Sequence, residues 1–124
     1  MTVEALDTGI TTVAGGVIVS LRGSASMDLC DKLNDTLLEA CQLKPEVLVL
    51  DLTDLTFICS LGLGGLVAAS LRVKRYGGQM ALVSPNNEIR EMLKLTKLGT
   101  ILMVFPTSQE ALANGKERWA EGRS

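Results

Sequence analysis

The chain of 124 residues contains no histidine. That removes the commonest general base and the commonest metal ligand. Aromatic residues are 3% of the sequence, namely one tryptophan, one tyrosine and two phenylalanines. So few rings make no stacking platform for single-stranded nucleic acid, and the core must be aliphatic. Cysteine is scarce, and Cys30, Cys41 and Cys59 fall at no zinc or C-x-x-C spacing. No metal and no cofactor is expected. Neither sign of charge dominates: 12 basic and 14 acidic residues give a net charge of −2. That balance argues against a nucleic-acid or anionic-membrane partner, both of which need basic patches. No apolar run reaches the roughly 18–20 residues of a membrane span. Met1-Thr2-Val3-Glu4 does not open a signal peptide. These absences lead to the expectation of a cytoplasmic domain with reduced thiols.

Hydrophobic residues are plentiful, at 47%, enough for one packed core and, at this length, for one domain. The expected domain is 1–113, with a polar tail over 114–124 that frays apart from Trp119. Ile10–Val13 and Val17–Arg22 read as two strands joined at Gly15-Gly16, where positive φ is available. Val17, Val19 and Leu21 alternate with Ile18, Ser20 and Arg22, so one face is the more buried. Gly23-Ser24-Ala25-Ser26 breaks the strand, and Ser26 is the expected cap of a helix. Leu29, Leu33 and Leu37 form its inner stripe, flanked by Cys30 and Cys41 as small core fillers. The helix stops before Pro45.

Glu46–Asp51 is an unbroken apolar run ending in an acid, the pattern of a central parallel strand. After a short connection, Ser60 begins a second helix that ends at Gly77-Gly78. Gln79–Val83 is the next strand. Asn86 caps a short helix from Glu88 to about Thr96, closed by Lys97-Leu98-Gly99. Ile101–Phe105 is the last strand, and Ser108 is the expected cap of a final helix. The order β-β-α-β-α-β-α-β-α predicts an α/β fold with a mixed, mostly parallel sheet of about five strands and about four helices.

The informative segment is Asp51–Gly65. Gly62-Leu63-Gly64-Gly65 has neither the lysine of a P-loop nor the spacing of a dinucleotide fingerprint. Asp51 and Asp54 have no acidic companions at the ends of the first strands, as a phosphoaspartate switch needs. Local turn bonding is their simpler role. No paired carboxylates are placed by a recognisable motif, and no base stands ready for a serine, so no catalytic residue is assigned. Ser60 is different. A hydroxyl at a helix start lies beside unpaired N–H groups and the positive end of the dipole, a favourable seat for phosphate. Its bland role is a helix cap worth about 1 kcal/mol. Cys59 is the one candidate nucleophile, since a helix N-terminus lowers a thiol pKa; its bland role is partly buried filler.

Phe57-Ile58-Cys59-Ser60-Leu61-Gly62-Leu63-Gly64, after a strand ending in Asp51, resembles the signature of the STAS family, the sulfate-transporter and anti-sigma-factor-antagonist domain. Leu21-Arg22-Gly23 resembles its Leu-x-Gly, Gly77-Gly78 and Gln79–Val83 its glycine pair and strand, and Met92–Leu98 its third-helix leucines. The resemblance implies an anti-sigma-factor antagonist, a bacterial non-enzymatic module of partner switching. Its partner would be an anti-sigma factor of the serine-kinase type, which phosphorylates the residue matching Ser60 and so breaks the complex; a phosphatase restores it. The chain would act as a monomer or weak dimer. Docking is expected through Ser24, Ser26 and Met27 on one loop, and through Cys59, Ser60, Leu61, Gly62 and Leu63 at the second helix.

Two acids of the family pattern are replaced. Cys59 stands where Asp usually precedes the phosphoserine, and Gly23-Ser24-Ala25-Ser26 stands where many members have Gly-x-Leu-Asp. Leu61 replaces a small hydroxyl residue. The surface is therefore more apolar than the family's. The alternative function is a cysteine-based redox sensor or small-anion sensor on the same scaffold, using Cys59 and the following helix N-terminus.

Overall fold

The computed structural model describes residues 5–95 and 102–113. Its strands and helices are β1 (Leu6–Val13), β2 (Gly16–Ala25), α1 (Cys30–Gln42), β3 (Val47–Asp51), β4 (Leu55–Ile58), α2 (Ser60–Arg75), β5 (Gln79–Val83), α3 (Asn87–Leu95) and β6 (Met103–Phe105). A helix over 108–113, here α4, follows. A single 3-10 turn, Met27–Leu29, leads into α1. The expected closure at Lys97-Leu98-Gly99, the strand start at Ile101 and the tail with Trp119 lie outside the described residues.

β1 and β2 form the antiparallel hairpin, and every other pairing is parallel, in the order β1-β2-β3-β5-β6. The turn is Ala14-Gly15, with Gly15 at φ +87°, and Gly16 already belongs to β2. The structure adds a sixth strand where the sequence suggests only a connection. β4 pairs with the end of β2, at Gly23–Ala25, after β3 has paired with Gly16–Ser20. β1 occupies the other edge of β2 from Gly16 to Gly23, so β4 continues the line of β3. Four residues with one charge-free alternation carry too little periodicity to announce a strand.

The sheet is buried on both faces because successive side chains of a strand point opposite ways. Leu48, Leu50 and Leu82 join Val19, Leu33, Leu66 and Ile89 on the side of α1, α2 and α3. Val47, Val49, Ala81 and Val83 join Phe105 and Ala111 on the side of α4. Each leucine fully buried this way contributes roughly 1.5–3 kcal/mol. Cys41 and Cys30 are buried among these residues or at their margin, as expected of small hydrophobes. Asn86 caps α3 as anticipated, accepting from Ile89 N at 2.8 Å. Thr107, and not Ser108, caps α4, accepting from Glu110 N at 3.2 Å.

Candidate functional site

The residues singled out in the sequence lie where β2 and β4 end side by side. Ser24 is paired with Phe57 and Ala25 with Ile58, and Cys59 N donates to Ala25 O at 3.0 Å. The loop to α1 and the step into α2 therefore leave the sheet together. A register shift between Gly23 and Ser24 allows it. Gly23 holds φ +96°, a conformation that side chains rarely adopt. Its N–H donates to Asp54 O while Ser24 N donates to Ala5 O, each at 3.0 Å. A Cβ on Gly23 would strike the Ala5 carbonyl oxygen.

Two capping assignments are corrected. Ser26 makes no side-chain cap bond, and its Oγ is buried without a hydrogen-bond partner. The reason is the 3-10 turn: Leu29 N already takes the Ser26 carbonyl at 2.9 Å, so α1 starts only at Cys30 and the hydroxyl faces no open donor of its first turn. At α2 the cap is Cys59, not Ser60. Cys59 is extended (φ −81°, ψ 170°), and its sulfur accepts from Gly62 N at 3.4 Å. Its carbonyl takes Leu63 N at 3.0 Å. Ser60 is the first residue inside the helix and is exposed. Asp51 does what the turn reading expects, accepting from Thr53 N at 3.1 Å and Thr53 Oγ1 at 2.6 Å.

The segments that meet at Ser60 expose large apolar side chains. Met27 is 65% exposed, Leu61 56% and Phe57 44%. Phe57 was missed as a surface residue because the sequence placed it in a connection. The register shift breaks the alternation of β4: Gly23 pairs with Leu55 and Ser24 with Phe57, so Thr56 is an extra residue, Leu55 and Ile58 are buried, and Thr56 and Phe57 are exposed. Gly62 and Leu63 belong below the surface: Leu63 is 5% exposed and packs in the core. Gly62 is buried, and a Cβ there would lie 2.7 Å from Ile58 Cγ1. They shape the head of α2 from beneath, while Ser60 and Leu61 are exposed. Ser24 is half-buried beside Phe57, and Ser26 is half-buried in the next loop.

The electrostatics of α2 are one-sided. Its last turn carries Arg72, Lys74 and Arg75, which suit the negative end of the dipole. Its first turn carries no acid, so the positive end is uncompensated. Cys30, at the start of α1, places its sulfur 2.8 Å from that of Cys59. Burial, then the Cys59 sulfur, push the Cys30 thiol up to about 11. For Cys59, burial acts to raise the pKa, but the Cys30 hydrogen bond and the N–H groups of Gly62 and Leu61 outweigh it and hold the thiol below its ordinary value. A separation of 29 residues gave no local signal of this pair.

Among the described residues, no group of three or more Cys, Asp or Glu side chains is placed to hold a metal ion, and no helix is long and apolar enough to cross a membrane. A separate groove of about 380 Å³ runs between α1 and α2, lined by Asn34, Asp35, Leu38, Gly65, Ala68 and Arg72 among others. None of the residues at the head of α2 lines it.

Fold and site together define a small α/β domain whose distinctive surface is a helix N-terminus framed by apolar side chains. The model of the STAS domain matches residues 8–111, and the chain belongs to that family. A Thermotoga neapolitana protein named as a candidate anti-sigma factor antagonist homolog is 38% identical over 65 residues, 52% of this chain and 58% of that one. A Thermotoga maritima protein named as a candidate anti-sigma factor antagonist is 38% identical over 61 residues, 49% of this chain and 54% of that one. The match thus spans a little over half the length of these curated relatives. The crystal structure of an anti-sigma factor antagonist from Mycobacterium paratuberculosis superposes with a TM-score of 0.82 at 25% identity, covering 90% of this chain and 95% of that one.

Proposed function

We propose that this domain is an anti-sigma-factor antagonist, a binding module that docks an anti-sigma factor on the head of α2 and the loop before α1. The carrying observation is the exposed apolar group of Met27, Phe57 and Leu61 around an exposed Ser60. Three large apolar side chains gathered at one end of a small domain are the kind of patch that marks a protein interface. The names of the relatives support the partner class.

Ser60 is the switch in this reading. Its hydroxyl is open to a kinase, and it sits at a helix end that no acid compensates. Phosphate there adds about −1.5 to −2 charges, which the free helix end favours by roughly 0.3–1 kcal/mol. In the complex the same dianion would be pressed against apolar contacts without a partner, and each 1.4 kcal/mol or so of lost binding is tenfold in affinity. A serine-kinase anti-sigma factor would add the phosphate and a phosphatase would remove it.

The test is incubation of the chain with an anti-sigma kinase from its own genome and ATP, followed by intact mass and calorimetry. Phosphate on Ser60, with affinity at least tenfold weaker afterwards, is the expected result. Binding without any phosphate would leave a constitutive antagonist. No binding by either Ser60 or Ser60→Ala chains would overturn the assignment.

A further inference from the structure

We propose that Cys30 and Cys59 form a reversible dithiol–disulfide site that staples the start of α1 to the head of α2. Their sulfurs are already 2.8 Å apart, and a disulfide needs about 2.05 Å. An approach of about 0.75 Å between the sulfurs closes that gap. The two residues sit at the heads of α1 and α2, which the β2–β4 pairing brings together. Each sulfur also has a local backbone partner: Cys30 Sγ donates to Ser26 O at 3.4 Å, and Cys59 Sγ accepts from Gly62 N at 3.4 Å.

The roles divide by exposure. Cys30 is 4% exposed, whereas Cys59 is only partly buried and is flanked by exposed Ser60 and Leu61. Cys59 is thus the thiol that meets an oxidant, and Cys30 is the one that resolves the product. With a hydroperoxide as oxidant, the Cys59 thiolate attacks one peroxide oxygen and the O–O bond breaks. The products are a sulfenic acid on Cys59 and a hydroxide, or an alkoxide if the peroxide is organic. Cys30 sulfur then attacks the Cys59 sulfur. The S–O bond breaks, and the leaving hydroxide takes the Cys30 proton as water. Two electrons pass to the peroxide, both S–H bonds are lost and one S–S bond is gained. A dithiol reductant reverses the change by exchange.

Cys41 is the internal control. It lies eleven residues further along α1, about 16 Å at 1.5 Å per residue. It is buried, with its sulfur on Ala69 O at 4.0 Å, and no other cysteine sulfur is placed near it among the described residues. The site stands on this sulfur geometry and not on the docking reading, although the staple joins the two segments assigned to docking.

The experiment treats the full chain with hydrogen peroxide at neutral pH, blocks free thiols, and maps peptides without reduction. Cleavage after Glu39 and Glu46 puts the three cysteines on separate peptides. The expected result is a loss of two hydrogen atoms in mass, a cross-linked Cys30–Cys59 peptide, a blocked Cys41, and full recovery with dithiothreitol. In Cys30→Ser the disulfide is absent and Cys59 runs on to sulfinic acid. Sulfinic acid on Cys59 of the unaltered chain, or chain-to-chain disulfides as the main product, would overturn the proposal. No partner is required, so the outcome is independent of whether an anti-sigma factor binds.

Discussion

The heads of α2 and α3 are built from the same backbone problem and answer it differently. At α3, Asn86 Oδ1 accepts from Ile89 N at 2.8 Å and its Nδ2 donates to Leu55 O and Thr56 O at 3.1 and 3.3 Å. One side chain closes the helix end and ties it to β4. At α2, the cap is a sulfur at 3.4 Å, a weak acceptor, and the next residues, Ser60 and Leu61, face outward. The α3 head is spent on holding the fold. The α2 head keeps its positive end open and its apolar side chains on the surface, at some expense in stability. A helix end left under-satisfied in this way is where a partner or a phosphate gains most.

The contrast can be broken by substitution. Asn86→Ala removes a cap and two carbonyl contacts, and should destabilise the domain by about 2–3 kcal/mol in urea unfolding. A loss below about 0.5 kcal/mol would mean that the α3 head holds no more than an ordinary surface position. Cys59→Asp replaces the weak cap by a carboxylate at the dipole's positive end, and should stabilise by about 1 kcal/mol at neutral pH. The introduced acid would have a lowered pKa in the folded chain, so its gain is present above the unfolded value of about 4 and disappears as pH falls through the lower, folded one. An unchanged midpoint at neutral pH would show that sulfur caps this helix as well as oxygen does.

A third measurement sharpens the comparison at the sulfur itself. The rate of Cys59 alkylation against pH should have its midpoint below 9.0, the ordinary thiol value, while Cys30 stays inert until about 11. The signs oppose each other. Cys59, lowered on folding, adds stability that is present above the ordinary value and lost as pH falls through its own. Cys30, raised on folding, adds stability that is present below 9.0 and lost as pH climbs toward about 11. A Cys59 profile matching free cysteine would mean that the donors of α2 do not act on the sulfur. The smallest effect is expected from Ser60→Ala, under about 0.5 kcal/mol, because an exposed residue that is not the cap contributes little. A loss near 1 kcal/mol in thermal unfolding would return the capping role to Ser60.

Much of the architecture was legible along the chain. The unbroken Val47–Leu50 run announced a strand buried on both faces, and Leu33 and Leu37 announced a helix with one inner stripe, although Leu29, expected on the same stripe, lies in the 3-10 turn before it. Asn86 and Gly77 marked their helix ends because each acts on backbone a few residues away. The misses share a cause. β4 is too short to carry periodicity, and it exists because the end of β2 offers it an edge. Ser26 looked like a cap by composition, but one 3-10 turn moved the helix start beyond its reach. Leu63 is close to Ser60 in the sequence, yet helical rotation carries its side chain into the core.

By itself, the sequence determined the α/β order, the aliphatic core, the helix starting at Ser60 and the family signature across Phe57–Gly64. These are properties of spacing and local hydrogen bonding, which the chain carries wherever it goes. Only the tertiary structure decided which residue caps α2, which side chains reach the surface, and that Cys30 meets Cys59. Those outcomes depend on two strands ending side by side. Contacts between residues 29 apart follow from sheet pairing and packing, for which no local pattern is a substitute.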